Sequence, residues 1–470
     1  MNHFPTQSTL QDACTQSLSP QENVSKEERS WWANFCRQRL LGRLKRFQRG
    51  QLHLIDNEET IIGASVPTAR DSVQLRSSVF VQHPDFYSRT LMGGTIGAAE
   101  SYIRGEWTTD DLTDLIRMFI RNMPEVSKWE KSWARVRGLS HWMKHLSRKN
   151  TKAGSRKNIH EHYDLGNDFY SLFLDPTMNY SSGIFPTPES SMHEASLNKM
   201  NWICTKLKLD AADHVLEIGT GWGGLAIHMA RTTGCKVTTT TISKEQFNWA
   251  VQAVKDAGLE DRIEILLSDY RDLKGQFDKI VSIEMIEAVG HQFYDQYFEQ
   301  CSNLLTDDGL MLIQGIMMSE QNYQHHINNI DFIRRYVFPG GCLPSIGALG
   351  HSISRVTDMR MVHLDDITEH YVTTLVDWRE KFFDQLEEVR TLGFDESFIR
   401  LWDFYLCYCE AAFAERRVLN TQLVLAKPGS DVDPAVDYRH LSATAPTSRV
   451  RTSKNQERDL DEHCPSEIMS

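Results

Sequence analysis

The stretch Glu217-Ile-Gly-Thr-Gly-Trp-Gly-Gly224 constrains the fold of this 470-residue chain more than any other feature of its sequence. It follows a short apolar run, 214–218, and precedes a helical pattern that begins at Leu225. Glycines between a buried strand and a helix let the backbone turn tightly and bring helix N–H groups close to a ligand. The stretch therefore predicts the first strand, loop and helix of an α/β domain with a bound ligand.

The position of the acidic residue helps to choose among the ligands that such a loop can bind. The spacing satisfies G-x-G-x-x-G, which leaves S-adenosylmethionine, a dinucleotide or a purely structural turn open. A dinucleotide site usually has an acid about 20 residues further on, at the end of the second strand. This chain has Thr240-Thr-Ile-Ser-Lys there, and Glu217 lies before the glycines instead. The pattern favours S-adenosylmethionine.

Strand and helix patterns alternate over residues 158–428, which predicts a parallel, doubly wound α/β sheet. Residues 320–365 interrupt the alternation and predict a late helical and loop insertion that covers the substrate. The predicted strands are 214–218, 236–242, 263–267, 279–283, 309–314 and 421–426. The predicted helices are 225–231, 244–257, 294–305, 366–391 and 396–415.

The segments outside this domain differ in composition. Residues 28–125 predict a small α+β domain, whereas 1–27 and 429–470 are polar and predict disordered ends. Residues 126–157 predict a basic amphipathic linker helix, with ten Lys or Arg and one acid between Lys128 and Lys157. Its Trp, Leu and Met stripe fits either an interfacial helix or a helix packed on the protein's own core.

Composition and charge exclude several classes of protein. Hydrophobic residues make up 40% and the formal net charge is -12, which is ordinary for a globular chain and does not favour nucleic-acid binding. No run approaches ~18 apolar residues, and the start lacks a signal-peptide layout, so we expect a cytoplasmic protein. Nine scattered cysteines without a CxxC pair predict neither a disulfide framework nor a zinc site. The pair His325-His326 has no acids at metal spacing and is expected on the surface, so no metal is predicted.

Several further motifs resemble cyclopropane-fatty-acyl-phospholipid synthases and mycolic acid synthases, a family of class I S-adenosylmethionine-dependent methyltransferases. The resemblance covers about 158–428 and, more weakly, extends over 45–125 to the family's N-terminal lipid-contacting domain. It implies a Rossmann-like, seven-stranded methyltransferase sheet. The motifs are Asn158-Ile-His-Glu-His-Tyr-Asp-Leu-Gly-Asn-Asp-Phe-Tyr, Tyr180-Ser-Ser-Gly-Ile-Phe, Ile286-Glu-Ala-Val-Gly-His, Tyr336-Val-Phe-Pro-Gly-Gly-Cys-Leu-Pro-Ser and Tyr371-Val-Thr-Thr-Leu-Val-Asp-Trp.

The resemblance also implies which residues contact the cofactor. Tyr180 and Ser181 are expected beside its methionine part, Thr241 and Gln246 near the ribose, and Tyr270 beside the adenine. The residues expected to line the loop itself are Glu217, Gly219, Gly221 and Gly223.

The implied reaction transfers a methyl or methylene group to the double bond of an unsaturated acyl chain of a phospholipid. In the family a bicarbonate ion is the implied base, and the matching positions here are Ser182, Glu287, Gln314, Ile316 and Tyr371. Ser182 and Gln314 replace the usual Cys and His, and glutamine cannot titrate as histidine does, so bicarbonate binding stays open. Cys409 matches a family cysteine, yet no step of this chemistry needs a thiolate.

The residues leave alternatives to this reading. A cyclopropane ring and a methyl-branched product are both open, and so are a small-molecule amine methyltransferase and a non-catalytic lipid-binding protein. A substrate within a phospholipid predicts peripheral contact with an anionic membrane surface. A homodimer is also possible.

Overall fold

The computed structural model describes residues 30–56, 59–63, 74–126 and 165–432. The predicted disordered arm over 1–27, the basic linker from 127 onward and the tail beyond Val432 lie outside these residues. So do 158–164, which begin the first family motif. Val432 is 6% exposed and packs in the hydrophobic core. The domain therefore extends beyond the predicted boundary at 428.

The N-terminal unit is the small α+β domain that the sequence predicts. Its four-stranded sheet has the order β2-β1-β3-β4, with β1 and β3 parallel and the other pairs antiparallel. The strands are β1 (Gln51–Ile55), β2 (Glu59–Gly63), β3 (Arg76–Val81) and β4 (Trp107–Thr109). The helices are α1 (Trp31–Leu44), α2 (Asp85–Ile103) and α3 (Leu112–Arg121). Asp111 caps α3 by accepting a 2.8 Å hydrogen bond from the Asp114 amide, as expected for an Asp N-cap.

The second unit is built on a seven-stranded sheet with the order β10-β11-β9-β8-β5-β6-β7. Its strands are β5 (His214–Ile218), β6 (Lys236–Thr241), β7 (Ile263–Leu267), β8 (Phe277–Ile283), β9 (Leu305–Met318), β10 (Arg360–Asp366) and β11 (Val418–Ala426). Strands β5 to β9 are parallel, whereas β11 runs antiparallel to β9 and β10 antiparallel to β11. The sheet is therefore mixed at one edge and not parallel throughout.

The predicted insertion over 320–365 ends in a strand of the sheet, β10, which the sequence patterns did not predict. Strand β10 lies at the sheet edge and, among the strands of the described residues, pairs only with β11. Its sequence Arg-Met-Val-His-Leu-Asp-Asp therefore carries no buried apolar run that would identify a strand. The remainder of the insertion is helix α9 (Glu320–Asn328), a short π-helical turn at Ile333–Val337 and helix α10 (Ile346–Val356).

Helices cover both faces of the large sheet. They are α4 (Asn167–Ser171), α5 (Met192–Lys206), α6 (Gly224–Thr233), α7 (Lys244–Asp256), α8 (Tyr294–Leu304), α11 (Thr368–Asp384), α12 (Leu386–Thr391) and α13 (Glu396–Ala414). The single helix predicted over 366–391 is thus two helices, separated at Gln385. The N-terminal unit packs on α13 and shares its apolar core. Among the described residues no helix is long and apolar enough to cross a bilayer.

Candidate active site

The glycine loop has the backbone that its sequence requires. Gly219, Gly221 and Gly223 have φ angles of 108°, 53° and 90°, a region that residues with a side chain rarely adopt. A Cβ atom added at Gly221 would meet nothing within 4 Å, so the loop faces open space there. The loop ends at the N-terminus of α6, whose free N–H groups favour a polar ligand. This shape fits the methionine part of S-adenosylmethionine.

Glu217 lies beneath this loop at the end of β5 and is 2% exposed. The Thr239 hydroxyl donates a 2.6 Å hydrogen bond to its Oε2 and also bonds to the Thr220 hydroxyl at 2.7 Å. Burial raises the pKa of Glu217 to about 8, although the Thr239 bond opposes this shift. The carboxyl group therefore ties the strand end to the loop.

The residues expected near the ribose and adenine follow the neighbouring strands. The Thr241 hydroxyl donates to Gln246 Oε1 at 3.1 Å, which joins the end of β6 to the start of α7. Tyr270 follows β7 and contacts Tyr297 edge-to-face, with ring centroids 5.3 Å apart. Burial raises the pKa of Tyr270. These residues stand after successive parallel strands, where α/β folds bind ligands.

Tyr180 and Ser181 connect the cofactor side to an aromatic cluster. The Tyr180 ring stacks on Trp378 with centroids 5.2 Å apart, and its hydroxyl lies 2.9 Å from that of Tyr405. Ser181 Oγ accepts a 2.7 Å hydrogen bond from Lys199 Nζ. Lys199 is 1% exposed, and burial lowers its pKa to about 8. The motifs of the sequence did not identify Lys199, which lies on the buried face of α5.

Glu284, which sequence reasoning missed, is the centre of the site. Its Oε1 accepts hydrogen bonds from Ser182 N at 3.1 Å, Gln314 Nε2 at 2.8 Å and Asn420 Nδ2 at 3.0 Å. Its Oε2 accepts one from the Tyr371 hydroxyl at 2.7 Å. The resemblance placed Ser182, Gln314 and Tyr371 around a bound anion. In the structure they converge instead on a carboxylate of the protein itself, the side chain of Glu284.

A buried row of side chains fixes the orientation of Gln314. Lys206 Nζ donates to Gln422 Oε1 at 2.6 Å, and Gln422 Nε2 donates to Gln314 Oε1 at 2.9 Å. An ammonium group can only donate, so each amide must present its oxygen toward Lys206 and its nitrogen toward Glu284. All three donors in this row are fully buried. Gln314 is therefore a permanent hydrogen-bond donor.

Glu287 lies beside this centre in a short turn over Ile286–Ala288. Ile316 N donates to its Oε1 at 2.5 Å, whereas Oε2 is buried and has no hydrogen-bond partner among the described residues. Burial and the nearby charge of Glu284 raise the pKa of Glu287 to about 8. At neutral pH we therefore expect Glu287 to hold a proton.

Part of the insertion lies directly over Glu287. Cys342 N donates to the Glu287 backbone oxygen at 2.8 Å, and Met318 N donates to the Pro344 oxygen at 2.7 Å. The insertion is held by His326, which is 7% exposed and accepts a 3.0 Å hydrogen bond from Leu343 N. The expectation of a surface position was therefore wrong for His326, because the ring supports the insertion from within.

Cys409 lies on α13, close enough to Tyr371 and Tyr405 to contribute to the raised pKa of both hydroxyls. Burial raises the pKa of its thiol, so a thiolate is disfavoured at neutral pH. Among the described contacts it has no hydrogen bond that would activate it, and it packs against the aromatic core. The charge of Asp331 raises its pKa further.

The residues that the family resemblance implies for bicarbonate do not fit that ion here. The donors of Ser182, Gln314 and Tyr371 are already bonded to Glu284, and the amide of Ile316 is bonded to Glu287. An added anion would lie against the Glu284 carboxylate with no donor left for it among these four groups, which is unfavourable.

Comparison with known proteins agrees with this geometry. The family model for mycolic acid cyclopropane synthetase matches residues 149–423. The chain is 36% identical to tuberculostearic acid methyltransferase UfaA1 of Mycobacterium tuberculosis, over 80% of this chain and 88% of that protein. It is 35% identical to cyclopropane-fatty-acyl-phospholipid synthase of Escherichia coli, over 75% of this chain and 88% of that protein.

Solved structures add the cofactor. Mycolic acid cyclopropane synthase CmaA1, crystallised with SAH and CTAB, superposes with a TM-score of 0.54 at 28% identity and covers 58% of this chain and 98% of its own. The cyclopropane synthase MmaA2 from Mycobacterium tuberculosis superposes with the same TM-score at 27% identity, over the same shares of the two chains. The chain belongs to the mycolic acid cyclopropane synthetase family and is an S-adenosylmethionine-dependent methyltransferase.

Proposed function

We propose that this enzyme transfers the methyl group of S-adenosylmethionine to the double bond of an unsaturated fatty acyl chain in a phospholipid. The relatives named above support a lipid substrate, because one is a tuberculostearic acid methyltransferase and the other a fatty-acyl-phospholipid synthase. The observation that carries the proposal is the partly buried Glu284 carboxylate beside aromatic rings, next to the residues expected at the methionine part of the cofactor. Such a site suits a positively charged hydrocarbon.

The charge of the site matches the charge that the reaction develops. Bound S-adenosylmethionine supplies an electrophilic methyl group, and its capture by an alkene leaves a positive charge on the acyl chain. Glu284 places a carboxylate in the site, and the face of Tyr371 offers further electrostatic stabilisation. Tyr371 is held in place by stacking on Phe413, with centroids 4.4 Å apart, and by the edge of Trp378 at 6.2 Å.

Water must be excluded while the cation exists, because water would trap it as an alcohol. The segment 338–345 covers Glu287, and the aromatic residues of α11 and α13 close the neighbouring side. Loss of a proton then completes the reaction. Loss from the new methyl group gives a cyclopropane ring directly. It gives a methylene branch only after a hydride shift has moved the charge to the methylated carbon, and neither product needs a reductant.

The test supplies purified enzyme with methyl-deuterated S-adenosylmethionine and vesicles of a monounsaturated phospholipid. We expect mass spectrometry to find deuterium in the acyl chain, with two of the three deuterium atoms retained in a ring or methylene branch and all three in a methyl branch. Hydrogenation before analysis separates the ring from the methylene branch. Labelling of small amines alone, or of no substrate, would overturn the proposal.

Two controls sharpen this assay. Vesicles of the matching saturated phospholipid should stay unlabelled, since they lack the nucleophilic double bond, and the free unsaturated acid shows whether the phospholipid is required. The variant Gly221→Val places a side chain into the open space of the loop, so we expect it to lose cofactor binding and labelling together.

We also propose that the enzyme acts at an anionic membrane surface, where its acyl substrate lies. Helix α1 exposes Trp31 by 76%, Trp32 by 42% and Phe35 by 40%, which is unusual for large apolar side chains. The guanidinium of Arg39 lies 5.1 Å from the centre of the Phe35 ring. Between Arg37 and Arg49 the sequence has six basic residues and no acid. Aromatic and basic residues together suit an interface with anionic lipid.

A further inference from the structure

We propose that the Glu284 carboxylate is a built-in replacement for bicarbonate: it takes the donors that the family resemblance assigns to that ion and accepts the proton that the methylated acyl cation loses. This inference rests on the proposed function. It makes Glu284 a catalytic residue that the sequence motifs do not reveal, and it makes the reaction independent of dissolved bicarbonate.

The donors around Glu284 are fixed in orientation. Ser182 N, Gln314 Nε2 and Asn420 Nδ2 meet on one carboxylate oxygen. The Lys206 and Gln422 row prevents Gln314 from turning its oxygen toward that site. Donors that converge in this way suit an anionic acceptor, which is the role that the resemblance gives to bicarbonate.

Tyr371 serves the second carboxylate oxygen. Burial and the charge of Glu284 raise the pKa of Tyr371 well above its usual value, so its hydroxyl stays protonated and remains a donor. Burial and the charge of Glu284 raise the pKa of Glu287 to about 8, so Glu287 holds a proton at neutral pH. The geometry also separates the two acids, because Glu284 receives the donors whereas Glu287 Oε2 has no hydrogen-bond partner among the described residues.

The backbone shows why a glutamate can reach this place. Glu284 directly follows β8 and has a φ angle of 50°. Its backbone N–H donates a 2.7 Å hydrogen bond to the backbone oxygen of Gln314. Its backbone is thus held at the carboxyl end of the sheet and the side chain turns inward. Glycine adopts a positive φ without penalty, so replacing Glu284 by glycine should retain the fold and leave a space the size of a small carboxylate.

The proposed step balances in atoms and electrons. The π electrons of the acyl double bond form the new carbon–carbon bond, the carbon–sulfur bond breaks, and its electron pair stays on sulfur. One oxygen of Glu284 then takes a proton from the new methyl group, and the electrons of that carbon–hydrogen bond close the ring. If a hydride shift has first moved the charge to the methylated carbon, the same electrons form a methylene double bond instead. The neutral Glu284 carboxyl group releases its proton to solvent when the product leaves.

The first experiment removes bicarbonate. Wild-type enzyme in degassed, carbon-dioxide-free buffer should methylate the monounsaturated phospholipid at the same rate with and without added bicarbonate. The variant Glu284→Gly should be slower by about 100-fold or more in that buffer, which is the usual contribution of a positioned base. Bicarbonate, formate or acetate should restore much of its rate. A wild-type rate that depends on bicarbonate would overturn the inference, and so would an unimpaired Glu284→Gly.

The matched control is Glu284→Gln, which fills the same space without a charge or a basic oxygen. We expect it to be slow and not rescued by any small carboxylate, while S-adenosylmethionine affinity measured by calorimetry stays within about threefold of wild type. Rescue of Glu284→Gln to the same extent as Glu284→Gly would show that the anion acts elsewhere and would contradict the proposal.

A binding measurement separates this inference from the proposed function. With Glu284→Gly, the carbon-13 resonance of labelled bicarbonate should broaden on titration with protein, whereas the wild-type protein should leave it sharp. If no unsaturated lipid is methylated, the proposed function fails while this spectrum still reports whether Glu284 fills the anion site. Equal broadening by both proteins would overturn the inference.

Discussion

Tyr102 in the N-terminal unit donates a buried 2.7 Å hydrogen bond to Asp403 Oδ2 on helix α13 of the methyltransferase domain. Asp403 also forms an ion pair with Arg379 at 2.7 Å, so the bond joins the two units at a charged and desolvated point. Two residues later on the same helix lies Tyr405, whose hydroxyl meets that of Tyr180. The N-terminal unit therefore stabilises the helix that closes one side of the site.

Replacing Tyr102 by phenylalanine removes this hydrogen bond and leaves the ring in place. We expect the free energy of unfolding to fall by about 1.5–3 kcal/mol, the range for a bond to a charged group. Chemical denaturation measures it, and a double-mutant cycle with Asp403→Asn isolates the pair. Strictly additive effects of the two substitutions would contradict a direct interaction across the interface.

Glu287→Gln should change how stability depends on pH. The folded-state pKa of Glu287 is raised from 4.5 to about 8, so between these values the folded protein binds more protons than the unfolded chain. The contribution of Glu287 to the free energy of unfolding is therefore favourable at low pH. It is lost as the pH rises from about 4.5 to 8, at up to about 1.4 kcal/mol per pH unit. Denaturation of Glu287→Gln across this range should show a weaker decline than wild type, and an equal decline would exclude the raised pKa.

The same substitution, Glu287→Gln, should also slow the reaction. Glutamine can still accept the Ile316 amide bond through its oxygen but cannot carry the carboxyl proton. We expect turnover to fall by about tenfold or more with nearly unchanged cofactor affinity, as for a group that acts mainly in the transition state. Steady-state kinetics measure both quantities. Unchanged turnover would remove Glu287 from the chemistry.

Gln422 is a positioning residue, and Gln422→Leu tests the row that orients Gln314. Without the Gln422 donor, the Gln314 amide is free to turn its oxygen toward Glu284, which removes one donor from that carboxylate. We expect kcat to fall about tenfold while KM for the cofactor stays unchanged. A loss of folding stability with unchanged kcat would indicate a structural role only.

The exposed aromatic residues of α1 should contribute to membrane binding. The triple substitution Trp31→Ser, Trp32→Ser and Phe35→Ser removes apolar area that is available to a bilayer, so affinity for anionic vesicles should fall by at least about tenfold. Leu392→Ser, at an apolar residue that is 42% exposed elsewhere, is the matched control and should bind as wild type does. Cosedimentation measures the difference. Equal binding by all three proteins would exclude this surface as the contact.

Local sequence identified the glycine loop, and the family resemblance implied Thr241, Tyr270 and the motif around Glu287. The loop, Thr241 and Tyr270 each lie at or after the end of a predicted strand, and parallel strands end at one edge of a sheet by the geometry of their right-handed crossovers. The sequence patterns did not predict strand β10, because an edge strand buries only one of its sides and needs no long apolar run.

The sequence by itself thus determined the α/β fold, the cofactor loop and the separate motifs of the family, because each depends on short-range periodicity and on residue types at close spacing. Only the tertiary structure decided that Glu284, and not its neighbour Glu287, receives the donors of Ser182, Gln314, Tyr371 and Asn420. These donors come from segments up to 136 positions away from Glu284 in the chain. Which of the two acids receives these donors depends on a backbone angle and on partners from distant strands, and no local sequence pattern predicts those contacts.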